Sequence, residues 1–239
     1  MQKFVVEQHR QNQERFWDEG PDSEKNYRKN CKKLGPSWYF YNKFISYKYN
    51  IYGFREKPFE EIDWAKSIVM IGDSNVEGIG LPIEDTTVKK LEQELDIPVV
   101  NLGISGSGID RACINSLILH NNFPKPKAIV QIWSSLHRYT QFNSGKYQDV
   151  ESFMPTKRRY LDLGWEERSK FYIQADRELW KNKTIYYEAS YFADTAQYLE
   201  LDTFEEIDLA RDQDHPGPES CKLAAKKIAE DLINLGIKQ

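Results

Sequence analysis

Apolar residues fall along this chain in two alternating patterns. From Trp64 onward, short, mostly apolar runs are separated by stretches in which apolar residues recur every three or four positions. The runs are Ile68-Val69-Met70-Ile71, Val99-Val100-Asn101-Leu102 and Ala128-Ile129-Val130-Gln131-Ile132-Trp133. Continuous runs bounded by turn residues suit strands buried on both faces, as in a parallel sheet. Between them, Val88, Leu91 and Leu95 predict a helix starting near Asp85 or Thr86. Ile109, Ala112, Cys113 and Leu117 predict a second helix. Strand, helix, strand, helix, strand with short links predicts an α/β fold whose parallel strands are joined by right-handed crossovers.

Beyond Tyr139 the pattern weakens. Residues 141–163 are polar and turn-rich, which predicts a loop over the sheet edge. Trp165, Tyr172, Ala175 and Leu179 predict a helix over 165–181, and 184–187 and 198–201 are candidate strands. After Pro216-Gly217-Pro218, the positions Cys221, Ala225, Ile228, Leu232 and Leu235 predict an amphipathic C-terminal helix. Residues 1–61 differ from all of this. They are rich in Lys, Asn, Gln and Tyr and carry the aromatic cluster Trp38-Tyr39-Phe40-Tyr41, with turns at Gly20-Pro21 and Gly35-Pro36. They are expected to form an extension packed on a main domain of 62–239. The alternative is an exposed aromatic surface for a sugar or a partner.

Composition narrows the function classes. A 239-residue chain of net charge −4 with scattered basic residues does not suit a nucleic-acid surface, which needs clustered Lys and Arg. Mean hydropathy is −0.70, yet aromatics make up 13 %, too many for a disordered chain. No apolar stretch is long enough to span a membrane. The first residues lack the apolar core of a signal peptide, and Cys31, Cys113 and Cys221 show neither zinc nor disulfide spacing. A cytoplasmic, reducing environment is the expectation. No metal or other cofactor is expected.

The strand ends carry the candidate chemistry. The first run stops at Gly72-Asp73-Ser74-Asn75, the second at Gly103-Ile104-Ser105-Gly106-Ser107-Gly108, the third at Ser134-Ser135. In open α/β sheets that carboxyl edge is where ligands bind. Ser74 is therefore a candidate nucleophile, with a helix cap as its structural alternative. Asp212-Gln213-Asp214-His215-Pro216 supplies a candidate base. An Asp three residues before a His meets it on one turn, which frees the other ring nitrogen to take a proton from a serine. Asp212 is preferred to Asp214, since adjacent side chains diverge. The glycine turn reads G-x-x-G-x-G, not the dinucleotide fingerprint, and residues 72–76 lack the second glycine of the G-x-S-x-G elbow. His9, His120 and His137 have no comparable context, although His137 follows the third strand closely enough to touch a substrate.

Taken together, Gly72-Asp73-Ser74, Asn101-Leu102-Gly103-Ile104-Ser105-Gly106 and Asp212-x-x-His215-Pro216 resemble blocks I, II and V of the SGNH (GDSL-like) hydrolases, over about residues 62 to 239. The stretch from Tyr49-Asn50 to Gly53-Phe54-Arg55 resembles a lead-in found before block I in some bacterial members. The resemblance implies a three-layer α/β/α, flavodoxin-like fold with about five mostly parallel strands. It also implies Ser74 as nucleophile, His215 as base, Asp212 as its orienter, and the Ser74 and Gly106 amides in an oxyanion hole. Block III departs from the family: Trp133-Ser134-Ser135-Leu136 stands where Gly-x-Asn-Asp is usual, so Ser135 occupies the place of the Asn donor. Loss of such a donor costs roughly a hundred- to a thousandfold in turnover, unless Ser135 or Arg138 compensates. Trp133, His137 and Arg138 are the candidate substrate contacts. A serine esterase removing a short acyl group, acetyl above all, from a small-molecule or carbohydrate ester is the expected activity. An O-acyltransferase and a weakly active or inert glycan-binding module are the alternatives.

Overall fold

The runs at 68–72, 99–103 and 128–133 are adjacent parallel strands of one sheet. A computed structural model describes residues 4–6, 10–18, 20–142, 150–153 and 165–238. In chain order, β1 (Glu14–Arg15), α1 (Glu24–Leu34) and β2 (Tyr47–Lys48) precede the sheet. Then come β3 (Ile68–Gly72), α2 (Ser74–Glu77), α3 (Thr87–Leu95), β4 (Val99–Gly103), α4 (Ile109–Asn122) and β5 (Ala128–Trp133). The antiparallel pair β6 (Tyr139–Phe142) and β7 (Val150–Phe153) follows. Last are α5 (Trp165–Trp180), β8 (Ile185–Ser190), α6 (Ala193–Leu199), β9 (Asp202–Thr203) and α7 (Pro218–Asn234).

The main sheet has the order β4-β3-β5-β8-β9, and every neighbouring pair is parallel. The chain leaves β3 for one side and returns to the other, so the strand order reverses at β3. That is the flavodoxin-like order, and its switch point lies beyond the carboxyl end of β3. Side chains alternate across the strands. Ile68 and Met70 pack with Val88 and Leu91 of α3 and with Ala225 and Ile228 of α7. Val69 and Ile71 point the other way, into the cluster that holds Ile109 of α4 and Ile173 and Trp180 of α5. The result is a three-layer α/β/α arrangement. Each fully buried aliphatic side chain contributes about 1.5–3 kcal/mol, which is why these mostly apolar runs specify strands.

Helix ends follow their local chemistry. Thr86 caps α3 by accepting the Lys89 N–H, and the helix stops at Asp96 in the left-handed region. Pro218 opens α7, whose first amides are bound from outside the helix: Asp208 accepts from Ser220 N at 2.8 Å and from Glu219 N at 3.1 Å.

Residues before β3 supply buried side chains to two clusters. Phe4, Val5, Val6, Phe54 and Phe59 join the α4 side of the core, where the Asn115 amide clamps Val5 through its N–H (2.7 Å) and its C=O (3.2 Å). Phe40, Ile45, Tyr47 and Tyr49 pack with Ile79, Leu81, Ala210 and Cys221.

Three sequence expectations need correction. Residues 198–201 are not a strand: α6 runs through Leu199 and ends at Glu200 in the left-handed region. The strand beginning near 184 continues to Ser190, because Glu188 in its middle finds Trp133 and Arg177 as partners. Leu235 lies just past the end of α7 and is exposed rather than part of its apolar stripe. The loop expected over 141–163 lies mostly outside the described residues, as does His9.

Candidate active site

Ser74 follows the switch-point strand and opens α2. Asp73 is the N-cap, accepting the Asn75 N–H at 3.0 Å, and Gly78 ends the helix in the left-handed region. As the first helical residue, Ser74 keeps an N–H with no acceptor inside the helix. Glycine lets this short helix sit hard against the sheet edge. A β-carbon at Gly103 would come within 2.2 Å of the Glu77 nitrogen and 2.7 Å of the Val76 carbonyl carbon.

The segment before α7 brings the second half of the site. Leu209 bridges Pro216 and the Ala210 N–H donates to the His215 carbonyl at 2.8 Å, so 209–216 folds back on itself. At its tip Asp212 accepts the Asp214 and His215 N–H groups on Oδ1, each at 3.1 Å. Its Oδ2 lies 2.5 Å from His215 Nδ1, and His215 Nε2 lies 2.8 Å from Ser74 Oγ. The Asp212 side chain is sealed from solvent and that of His215 is 14 % exposed. Burial disfavours the imidazolium. The hydrogen bond and charge of Asp212 outweigh it, with smaller help from Asp73 and Asp214, and raise the His215 pKa above 6.5. Burial likewise opposes ionised Asp212, but the bonds from His215 hold its pKa below 3.8.

Gly106 lies in the turn after β4 with φ +72°, a conformation that favours glycine. The amides on either side are engaged: Ser105 N donates to Glu77 Oε2, and Ser107 N to the Ile104 carbonyl at 3.0 Å. The Gly106 N–H between them has no acceptor among the described residues.

The third strand end is arranged differently. The buried Ser135 hydroxyl accepts the His137 N–H at 3.4 Å, and its carbonyl accepts the Arg138 N–H at 3.0 Å. Arg138 turns back to the loop that carries Ser74, where Nη1 lies 2.8 Å from Asp73 Oδ2, and its guanidinium sits over the Phe192 ring. His137 is a third exposed and 3.9 Å from Asp194. Trp133 stands apart: it is fully buried and donates Nε1–H to Glu188 at 2.9 Å, so its indole has no surface to offer a substrate.

The structure thus brings Ser74, His215 and Asp212 into one hydrogen-bonded line, with Gly106 in the turn beside α2 and Arg138 attached through Asp73. It also gives roles to residues that sequence inspection passed over, Arg10 and Glu77, and to two noted only as part of a lead-in, Tyr49 and Arg55. Glu77 is fully buried; its Oε1 receives Arg10 Nη1 at 2.6 Å and the Tyr49 hydroxyl at 2.5 Å. Burial and the Glu77 charge push the Tyr49 phenol well above its usual pKa, so it remains a donor. Arg55, also buried, caps the loop after α2 through the carbonyls of Gly78 (2.7 Å) and Leu81 (2.9 Å). A charged residue inside an otherwise small and apolar stretch, as in Val76-Glu77-Gly78, was the available signal.

Among the described residues, no group of three His, Cys, Asp or Glu side chains is placed to hold a metal ion, and no helix is long and apolar enough to cross a membrane.

No protein-family model matches the sequence, and neither does any curated protein. Solved structures do resemble the fold. One is a carbohydrate esterase family 2 enzyme with a carbohydrate-binding domain from Corynascus thermopiles (Myceliophthora fergusii), at 12 % identity and TM-score 0.48 over 71 % of this chain and 66 % of the other. An acetyl xylan esterase from the rumen bacterium Butyrivibrio proteoclasticus matches at 12 % identity and TM-score 0.49, over 72 % and 65 %. The present chain therefore spans just under two thirds of the length of each. A member of the lipolytic G-D-S-L family from Veillonella parvula DSM 2008 matches at 12 % and TM-score 0.43, over 69 % of this chain and 96 % of the other. At such low identity and overlap, the chemistry has to be read from this chain's own side chains.

Proposed function

We propose that the protein is a serine ester hydrolase of the SGNH type acting on a short acyl ester. The observation that carries this is the line Asp212–His215–Ser74, with contacts of 2.5 and 2.8 Å between groups up to 141 residues apart in sequence. His215 Nε2 takes the proton as Ser74 Oγ bonds to the ester carbonyl carbon, and Asp212 stabilises the imidazolium. The oxyanion is received by the N–H groups of Ser74 and Gly106. The tetrahedral intermediate expels the alcohol, to which His215 gives its proton. Water, deprotonated by His215, then attacks the acyl-serine and releases the acid.

Ser74 is only 7 % exposed, which supports a small acyl group such as acetyl. The polar groups nearby, Arg138 paired with Asp73 and Asp214 bound through its N–H to Asp212, support a hydroxyl-rich alcohol such as a sugar over a lipid. Ser135 favours a second reading, that of a weakly active protein, since its hydroxyl is shorter than the family Asn and faces the His137 amide.

A fluorophosphonate probe tests the proposal. It labels the protein, and labelling disappears in Ser74→Ala and in His215→Ala. Full turnover of a short-chain aryl ester by Ser74→Ala would refute it.

A further inference from the structure

The geometry points to Asp22 and Tyr47 as positioning residues that set where the Asp212–His215 unit stands relative to Ser74. This inference rests on the catalytic line proposed above. Asp212 and His215 hold each other within one turn, but the hydrogen bonds inside that turn do not reach the loop that follows Ser74. Arg211, the residue before Asp212, does so. Its N–H donates to the Gly80 carbonyl at 3.0 Å and its carbonyl accepts Asn30 Nδ2 at 3.2 Å. Its guanidinium binds Asp22 twice, Nε to Oδ1 at 2.8 Å and Nη2 to Oδ2 at 2.6 Å, across 189 residues. It also reaches the Phe16 carbonyl at 2.8 Å and lies over the Trp17 ring at 4.2 Å.

Tyr47 closes the circuit. Its hydroxyl donates to Asp22 Oδ2 and accepts the Gly80 N–H at 2.8 Å. One carboxylate therefore holds both the loop that follows Ser74, through Tyr47 and Gly80, and the loop that carries Asp212, through Arg211. Both ionic side chains are 1 % exposed, and buried bidentate pairs of this kind fix geometry strongly. On this inference, residues 16–18 and 20–47 are a brace built into the active centre.

Misplacing catalytic groups by about an ångström costs on the order of a hundredfold. Asp22→Asn, which removes the charge and one acceptor, is expected to slow fluorophosphonate labelling about ten- to a hundredfold at saturating pH. Tyr47→Phe, which removes one hydroxyl and leaves the ion pair, is expected to slow it about fivefold. In both variants kcat for a short ester falls with KM nearly constant. The acid-limb midpoint of the pH profile stays in place, because the Asp212–His215 bond lies inside its own turn. The end point of labelling separates positioning from folding: a brace lowers the rate constant at an unchanged number of labelled sites, whereas a purely structural role lowers the number of sites.

Should Asp22→Asn fail to fold, Tyr47→Phe decides alone. A wild-type rate constant in folded Tyr47→Phe, or a loss confined to the end point, overturns the inference. Ser74→Ala measured alongside keeps the two failures distinct: if it retains turnover, the catalytic line itself is wrong, and if it is inert while Tyr47→Phe is unimpaired, only the brace is.

Discussion

Gly80 lies against Asp212. A β-carbon on residue 80 would stand 3.2 Å from the Asp212 carboxyl carbon and 2.8 Å from the Ala210 β-carbon, and Gly80 holds φ +77°. The loop after Ser74 and the loop bearing Asp212 therefore meet at a point where only hydrogen fits. Gly80 also supplies the carbonyl that receives the Arg211 N–H.

Gly80→Ala is accordingly expected to damage both stability and activity. The positive φ and the clash each add strain, together about 1–3 kcal/mol, which lowers the thermal midpoint by several degrees. Displacing the 210–212 backbone lengthens the Ser74–His215 contact, so labelling by a fluorophosphonate slows even at temperatures where the variant is fully folded. Ordinary labelling kinetics in folded Gly80→Ala would show that the close approach has no bearing on the site.

The pH dependence follows from the raised pKa of His215. On the proposed mechanism His215 works as a base only when its imidazole is neutral, so kcat/KM is expected to rise with pH through a midpoint above 6.5. Stability runs the other way for this group. Its contribution is complete below the unfolded pKa of about 6.5 and is lost as pH rises through the folded value. For Asp212, whose pKa is lowered, the contribution is present above the unfolded value and lost as pH falls through the folded one. Asp212→Asn removes the main cause that raises His215 and leaves burial, which lowers it. The acid limb is expected to move to lower pH while kcat falls about 10³- to 10⁴-fold. Kinetic pH profiles of the two proteins read both effects.

The parts of this site legible in sequence are those fixed locally. An apolar run ending at Gly72-Asp73-Ser74 announces a strand end, and Asp212 and His215 sit three residues apart on one turn. That the runs at 68–72, 99–103 and 128–133 are parallel strands follows from the short connections between them, whereas the placing of β4 and β5 on opposite sides of β3 does not. Contacts between Arg10 and Glu77, or Asp22 and Arg211, have no such signal, since they join residues 67 and 189 positions apart and depend on how the N-terminal chain wraps the sheet. α1 was likewise passed over: its apolar positions Tyr27, Cys31 and Leu34 recur at helical spacing but are only half-buried in an otherwise charged and polar segment. Tyr198 and Leu201 suggested a strand by composition, but the chain at 193–199 is a short helix packed beside β8.

Arg138→Ala separates a charge effect from a direct role. Asp73 is buried, and its carboxylate already favours the His215 imidazolium. Taking away the cation 2.8 Å from it leaves that negative charge less compensated. The acid limb of kcat/KM is then expected to move to higher pH, opposite in direction to Asp212→Asn. Stability falls by about 1–3 kcal/mol, the cost of leaving a buried acceptor without its partner. A loss of kcat on the high-pH plateau with no movement of the limb would instead make Arg138 a group that touches the reacting ester.

Ser135→Asn asks whether the third strand end limits turnover. The Ser135 hydroxyl accepts one amide at 3.4 Å, a long contact, so little hydrogen bonding is lost on replacement. The larger side chain costs about 1–3 kcal/mol of overpacking in this buried position. In return, a carboxamide reaches further than a hydroxyl and presents an N–H₂ toward the substrate. With a donor restored to the oxyanion, kcat for a short aryl ester is expected to rise about ten- to a hundredfold, with KM little changed, because the bond strengthens only as charge develops in the transition state. Steady-state kinetics at the high-pH plateau is the measurement. An unchanged kcat in a folded Ser135→Asn would place the limiting factor elsewhere and make the Ser74 and Gly106 amides sufficient for the reaction.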